Sequence, residues 1–199
     1  MKLGKIEKMF MISQKHAKHG IEHVERLLRY VNLKENQNYL EVGCGNGAVS
    51  KHIAKRYGLN VTGTDVDPEM IQFAKKNIDD ISHIRFLEMD ATEMHFEDNR
   101  FDIVLSFGVM HHISNWEKVL EEISRVLKPQ GFFIFSDLAY SRFITRVFRH
   151  IIKNYSIYTI DDIINCLRRN KLKIIHKGEP VGIVMKDYSI VFQKNKIKL

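Results

Sequence analysis

The hydrophobic positions of this chain change period as it runs. Ile21, Val24, Leu27, Leu28 and Val31 recur at helical spacing and predict an amphipathic helix over 20–31, with further helix before it. Residues 38–43 (NYLEVG) read as a short strand, 46–58 as a helix stopped at Gly58, and 60–65 (NVTGTD) as a second strand. Pro68 suits the first turn of a helix over 68–79, and 83–89 is a third strand. The run FDIVLSF (101–107) is nearly all apolar, as a strand covered on both faces should be. Ser114 is placed to cap a helix over 115–127, which ends before the turn signal Lys128-Pro129-Gln130-Gly131. FFIFSDL (132–138) is a fifth strand. Helical periodicity fills 141–153 and 160–170, and 173–178 and 188–194 read as two closing strands.

Strand and helix alternate along most of the chain. That order predicts an α/β fold, a mostly parallel sheet with helices on both faces. The length of 199 residues suits a single domain over 1–199: a helical cover over 1–37, a ligand-binding core over 38–138, and further helices and closing strands over 139–199. Ligands of such sheets bind beyond the carboxyl ends of the strands, so the residues just after each strand carry the chemistry.

Composition narrows the setting. The chain is 44% hydrophobic and 28% charged, ordinary for a soluble globular protein. Its net charge of +7 favours anionic partners, yet the charges are spread and no run resembles a basic tail. Nucleic acid or a membrane surface is therefore a less favoured partner than a small molecule. Two cysteines, Cys44 and Cys166, make neither a disulfide framework nor a metal-ligand spacing; no metal is expected, and the setting is read as reducing and cytoplasmic. No apolar run approaches the ~18 residues of a membrane span, and the first residues lack the apolar core of a signal peptide.

The first predicted strand runs into Glu41-Val42-Gly43-Cys44-Gly45-Asn46-Gly47-Ala48. Glycines at alternate positions let a backbone turn tightly and approach a ligand, and a loop that opens a helix points free N–H groups at it. The loop satisfies G-x-G-x-x-G/A, and Asp65 at the end of the second strand suits a ribose contact. Both fit a NAD-dependent oxidoreductase as well as a methyltransferase. Glu41 separates the two: a carboxylate beside this loop would repel a pyrophosphate but can pair with the ammonium of S-adenosylmethionine. Asp90-Ala91 after the third strand can read an adenine edge, and Ser106 at the end of the fourth faces the reacting end of a ligand.

In combination these segments resemble class I S-adenosylmethionine-dependent methyltransferases. YLEVGCGNGAVS is similar to their motif I and VTGTDVDPEMI to the segment that follows it. FLEMDATEMHFEDNRFDIVLSFGVMHHI and EKVLEEISRVLKPQGFFIFSD resemble the branch that includes ubiquinone- and menaquinone-biosynthesis methyltransferases and many small-molecule enzymes. The likeness covers 38–138; its one departure is KPQG where KPGG is commoner. It implies a Rossmann-like seven-stranded sheet with an antiparallel last strand, and S-adenosyl-L-methionine as cofactor. It implies that Gly43, Cys44, Gly45 and Gly47 line the methionyl and ribose part of the donor. Glu41 would lie near the amino group, Asp65 at the ribose hydroxyls, Val66 and Met70 on the adenine, Asp90 and Ala91 at its edge, and Ser106 at the methionine end. The rival readings are the NAD-dependent oxidoreductase and a non-catalytic binding module on the same fold.

The acceptor is less legible. His111 and His112 are candidate general bases, since an imidazole suits proton transfer near neutral pH, although packing or loop hydrogen bonds would equally account for them. Over 141–155, Arg142, Arg146, Arg149 and Lys153 fall within an arc of roughly 60° at about 100° per residue, opposite an apolar face. That basic amphipathic helix reads as a surface helix, a lid over the acceptor, or a membrane-surface helix.

Overall fold

The computed structural model describes residues 14–196 except 77, 79, 80, 143, 144, 146–155 and 184. In chain order the elements are α1 (Gln14–Leu28), β1 (Asn38–Val42), α2 (Ala48–Tyr57), β2 (Asn60–Asp65), α3 (Pro68–Ala74), β3 (Ile84–Glu88), β4 (Phe101–Phe107), a 3-10 turn (Met110–His112), α4 (Trp116–Val126), β5 (Leu127–Tyr140), α5 (Ile160–Arg169), β6 (Leu172–Lys177) and β7 (Met185–Lys194). The seven strands lie in the order β3-β2-β1-β4-β5-β7-β6. Neighbours from β3 to β5 pair in parallel, and β7 runs antiparallel to both β5 and β6. This is the α/β Rossmann-like sheet with a reversed last strand.

Alternation along the strands divides the core. Phe133 and Phe135 of β5, with Phe192 of β7, pack with α4 and α5; Ile134 and Val191 pack with Val24, Leu27 and Leu28 of α1 and Val49 and Ile53 of α2. The sheet is therefore covered on both sides, which is why its central strands are almost wholly apolar.

Local chemistry explains most boundaries. Gly58 caps α2 with its N–H on the Ala54 carbonyl at 3.2 Å. Asp67 caps α3, its carboxylate accepting from Glu69 N–H at 3.0 Å, with Pro68 in the first turn. Thr159 and Asp162 form a reciprocal capping box on α5.

Four expectations change. α2 begins at Ala48 rather than at 46, because Asn46 turns back so that its side-chain oxygen accepts from Ala48 N–H at 3.0 Å. α3 stops at Ala74, short of 79. Ser114 is not the cap of α4: Asn115 holds that position without a side-chain hydrogen bond, and Ser114 faces the cleft described below. The Lys128–Gly131 turn is absorbed into β5 as an irregularity, the ladder passing from Phe101 opposite Leu127 to Ile103 opposite Phe132. The basic helix over 141–155 lies outside the described residues apart from Ser141, Arg142 and Thr145; Arg142 pairs with Asp161 of α5 at 2.6 Å.

Asp67→Ala is expected to lower stability by about 1 kcal/mol, the usual worth of a helix cap. Urea unfolding checks it, and an unchanged midpoint would refute the capping role.

Candidate functional site

Strand order reverses between β1 and β4, where a sheet of this kind opens a crevice. A cleft of about 440 Å³ lies there, at the carboxyl ends of β1 to β4. Its floor is the glycine loop. Gly43, Gly45 and Gly47 have φ of 71°, 51° and 73°, a region that side chains avoid. A Cβ on Gly43 would sit 2.3 Å from a methyl of Val109, and one on Gly47 would sit 2.6 Å from the Phe86 ring. The loop is tied to β2 by Cys44 N–H on the Thr64 carbonyl at 2.8 Å.

Asp65 braces this loop from the end of β2. One carboxylate oxygen accepts from Gly45 N–H and the other from Asp67 N–H, each at 2.9 Å. Burial raises its pKa, and those amide bonds work in the opposite direction. The carboxylate lines the cleft beside Gly43, Gly45 and Val66. Met89, Asp90, Ala91 and Thr92 form the next wall. Asp90 accepts from the backbone N–H and the hydroxyl of Thr92 at 2.8 and 2.7 Å, which hold its carboxyl below the usual range.

Glu41 stands behind the loop. It lines a small second cavity, with Gly43 and Cys44 on one side and Ala17 and Gly20 of α1 on the other. The Ser50 hydroxyl donates to its carboxylate. Burial pushes the Glu41 carboxyl up to about 8, Ser50 opposes the rise, and the negative Asp65 adds to it. That value favours the protonated form of Glu41 at neutral pH. The repulsion expected between a charged Glu41 and a pyrophosphate loses its force, and the choice between donors passes to other observations. Burial likewise drives the Cys44 thiol well up, so Cys44 is a small, inert filler of a tight space.

Two other expected donor contacts lie elsewhere. Met70 is fully buried on α3, and Ser106 is fully buried within β4; neither is among the residues that line the cleft. Gly108 and Val109, just beyond Ser106, take the lining position, because β4 carries the chain on past Ser106 before the loop opens. Gly47 serves the turn into α2 rather than the cleft surface.

The sequence reading missed Asp137. It sits near the end of β5 with its side chain fully buried. One oxygen accepts from Val109 and Met110 N–H at 2.8 and 2.6 Å; the other accepts from Leu138 N–H at 2.7 Å and is hydrogen-bonded to His111 Nδ1 at 2.5 Å. His112 lines the cleft, its ring centroid 3.9 Å from that of His111. The same search for acids at strand ends that singled out Asp65 and Asp90 extends to Asp137 in FFIFSDL. Ser50 carried no sequence signal, because only the turn of α2 brings it to Glu41.

Residues 40–135 match the model of a methyltransferase domain. That span takes in the glycine loop, Asp65 and the Asp90-Ala91 turn. Among particular proteins, the chain is similar to phosphoethanolamine N-methyltransferase 1 of Arabidopsis thaliana, 32% identical over 119 residues that cover 59% of this chain and 24% of that protein. It is also similar to a sterol 4-C-methyltransferase of Caenorhabditis elegans, 37% identical over 113 residues covering 54% of this chain and 33% of that protein. The matched segments thus span about a quarter and a third of these relatives' lengths. The solved structure of Haemonchus contortus phosphoethanolamine N-methyltransferase 2 in complex with S-adenosyl-L-methionine has the same fold, with a TM-score of 0.72 at 17% identity, covering 88% of this chain and 52% of that one.

Glu41 makes stability depend on pH. Its folded value near 8 exceeds the 4.5 of a free glutamate, so its contribution is full below about pH 4.5 and is lost as the pH rises toward about 8. Glu41→Gln is expected to remove that part of the decline. The measurement is the difference between wild-type and variant denaturant midpoints from about pH 5 to about pH 8; parallel curves would refute it.

Proposed function

We propose that the protein is a methyltransferase that moves the methyl group of S-adenosylmethionine to a small-molecule acceptor. The observation that carries this reading is the convergence on one cleft of a glycine loop with no room for side chains, the Asp65 carboxylate and the Asp90-Ala91 turn. The donor chemistry fits each part. The left-handed glycines leave a backbone cradle for the methionyl and ribose portion. Asp65 keeps lone pairs beyond its amide bonds to accept ribose hydroxyls. Asp90 and Ala91 meet the adenine edge, with the exposed Val66 along its face. Glu41 and Ser50 receive the ammonium, whose positive charge favours the ionised form of Glu41.

The sulfonium supplies an already activated methyl group, so the protein contributes alignment and exclusion of water more than activation. The Gly108–Asn115 segment is the side of the cleft left for the acceptor. A small acceptor is supported by the phosphoethanolamine and sterol named for the relatives. A cytoplasmic setting accompanies the reading, supported by Cys44 and Cys166 being buried free thiols. Among the described residues no helix is long and apolar enough to cross a membrane.

Calorimetry is expected to show binding of S-adenosylhomocysteine and none of NAD. Asp65→Ala should weaken that binding roughly 10–100-fold, the worth of a charge-assisted hydrogen bond of ~1.5–3 kcal/mol, whereas Asp67→Ala should leave it nearly unchanged. NAD binding without a response to S-adenosylhomocysteine would make the chain an oxidoreductase, and binding of neither would leave a non-catalytic module.

A further inference from the structure

A separate cavity, of about 300 Å³, lies at the opposite end of the sheet. Its walls are the opening residues of the strands: Asn38 of β1, Asn60 and Thr62 of β2, Arg85 of β3, and Arg100 just before β4. The cleft described above takes the carboxyl ends of the same strands, and the two share no residue. Two arginines line this cavity, and among the described residues no aspartate or glutamate does. Other arginines of the chain are held by carboxylates: Arg125 by Glu122 and Asp98, Arg56 by Glu25, Arg142 by Asp161. Arg85 and Arg100 are held by neutral groups instead. Arg85 Nε–H donates to the hydroxyl oxygen of the buried Thr62 at 3.0 Å, which leaves both Nη groups to donate elsewhere. Arg100 lies over the rings of Phe96 and Phe101, 5.6 and 5.8 Å from their centroids. The Asn38 side-chain amide donates to the Arg100 carbonyl at 3.1 Å and ties that residue to the start of β1. The nearby carboxylate of Asp102 is already taken, by Lys128 Nζ at 2.8 Å and Asn38 N–H at 2.9 Å.

We infer that this cavity is an oxyanion site, binding a phosphate group through Arg85 and Arg100, either as the free ion or as the monoester of a small hydroxylated molecule. Two guanidinium groups that share a cavity, have no counter-charge and are already held in place lack only the anion. The planar guanidinium fork matches the oxygens of a phosphate better than those of a halide. The net charge of +7 attracts anions to the whole surface, whereas the two arginines give one of them a place. The cavity is at about the lower end of the size range of small-molecule sites, which leaves room beside a phosphate. Asn38 and Asn60 line that room. Each has a second amide hydrogen beyond the one given to the Arg100 or Asn36 carbonyl, and the exposed Ser82 hydroxyl stands with them. This binding needs neither S-adenosylmethionine nor a methyl acceptor, so it stands whether or not the methyl-transfer reading holds.

The test is an NMR titration of the nitrogen-15-labelled full chain with inorganic phosphate and, separately, with ribose 5-phosphate. Ionic strength is held constant with chloride. The side-chain Nε–H signals of Arg85 and Arg100 and the side-chain amide signals of Asn38 and Asn60 should move along a saturating curve, with a Kd of about 1 mM or tighter. The Kd should be the same with S-adenosylhomocysteine in excess, which separates this site from the glycine loop. Arg85→Gln and Arg100→Gln should each weaken binding roughly 10–100-fold. Arg85→Lys should recover part of that loss, because a lysine keeps the charge and lacks the fork. Tighter binding of ribose 5-phosphate than of phosphate would support the site as one for a monoester, and equal affinity would support it as one for the free ion. A linear, unsaturated response would mean an adventitious ion only and would overturn the inference. So would equal affinity in the wild type and both glutamine variants, or shifts confined to residues 43–47. Where a glutamine variant fails to fold, the wild-type titration still decides, through the residues whose signals move.

Discussion

The carboxyl end of this sheet depends on how closely the loops after β1 and β4 approach each other. The methyls of Val109 occupy the space that a Cβ at Gly43 would need. The contact is possible only with Gly43 left-handed and bare, and with Val109 held in place. Asp137 does the holding, through the Val109 and Met110 amides. On the other side, Asp65 fixes Gly45 and so the remainder of the glycine loop. A line of contacts thus crosses the reversal point from β5 through β4 and β1 to β2, and the walls of the cleft are set by it rather than by any one loop.

Three carboxylates sit along this line, and the donors each receives distinguish their chemistry. Glu41 has the hydroxyl and the backbone N–H of Ser50 in a buried pocket, and burial pushes it up to about 8. Asp65 has the amides of Gly45, Asp67 and Val66 and faces the cleft. Asp137 has three backbone amides and an imidazole. Convergent N–H groups favour the ionised form of a buried carboxylate and desolvation opposes it; at Glu41 desolvation is the larger. Glu41 is the one left ready to change state when a cation arrives.

Helix α1 closes the back of the arrangement. Its apolar face packs on α2 and the sheet, while His23 reaches Ser189 of β7 at 2.9 Å and Ser136 of β5 at 3.0 Å. Burial lowers the His23 pKa and favours the neutral ring that such hydroxyl contacts suit. The same helix brings Ala17 and Gly20 to the Glu41 cavity. The position of α1 is thereby tied to the central strands as well as to the apolar layer.

The order of strands and helices and the acids around the first loop were legible because they rest on short-range signals: apolar period, glycine spacing, and an acid directly after a strand. Asp67 and Gly58 were legible as caps for the same reason, since a cap acts within a turn of its own position. Ser114 misled because a cap depends on the backbone angles of the residue that enters the helix, and those passed to Asn115. Ser106 and Met70 are fully buried, which nearness in sequence to a strand end does not reveal. The charge of Glu41 could not be read from the sequence, because desolvation is a property of everything packed around it. Asp137 with His111, Ser50 with Glu41, and Val109 with Gly43 join residues on different elements. Only the folded sheet, by setting the ends of β1, β4 and β5 side by side, decides that those pairs meet.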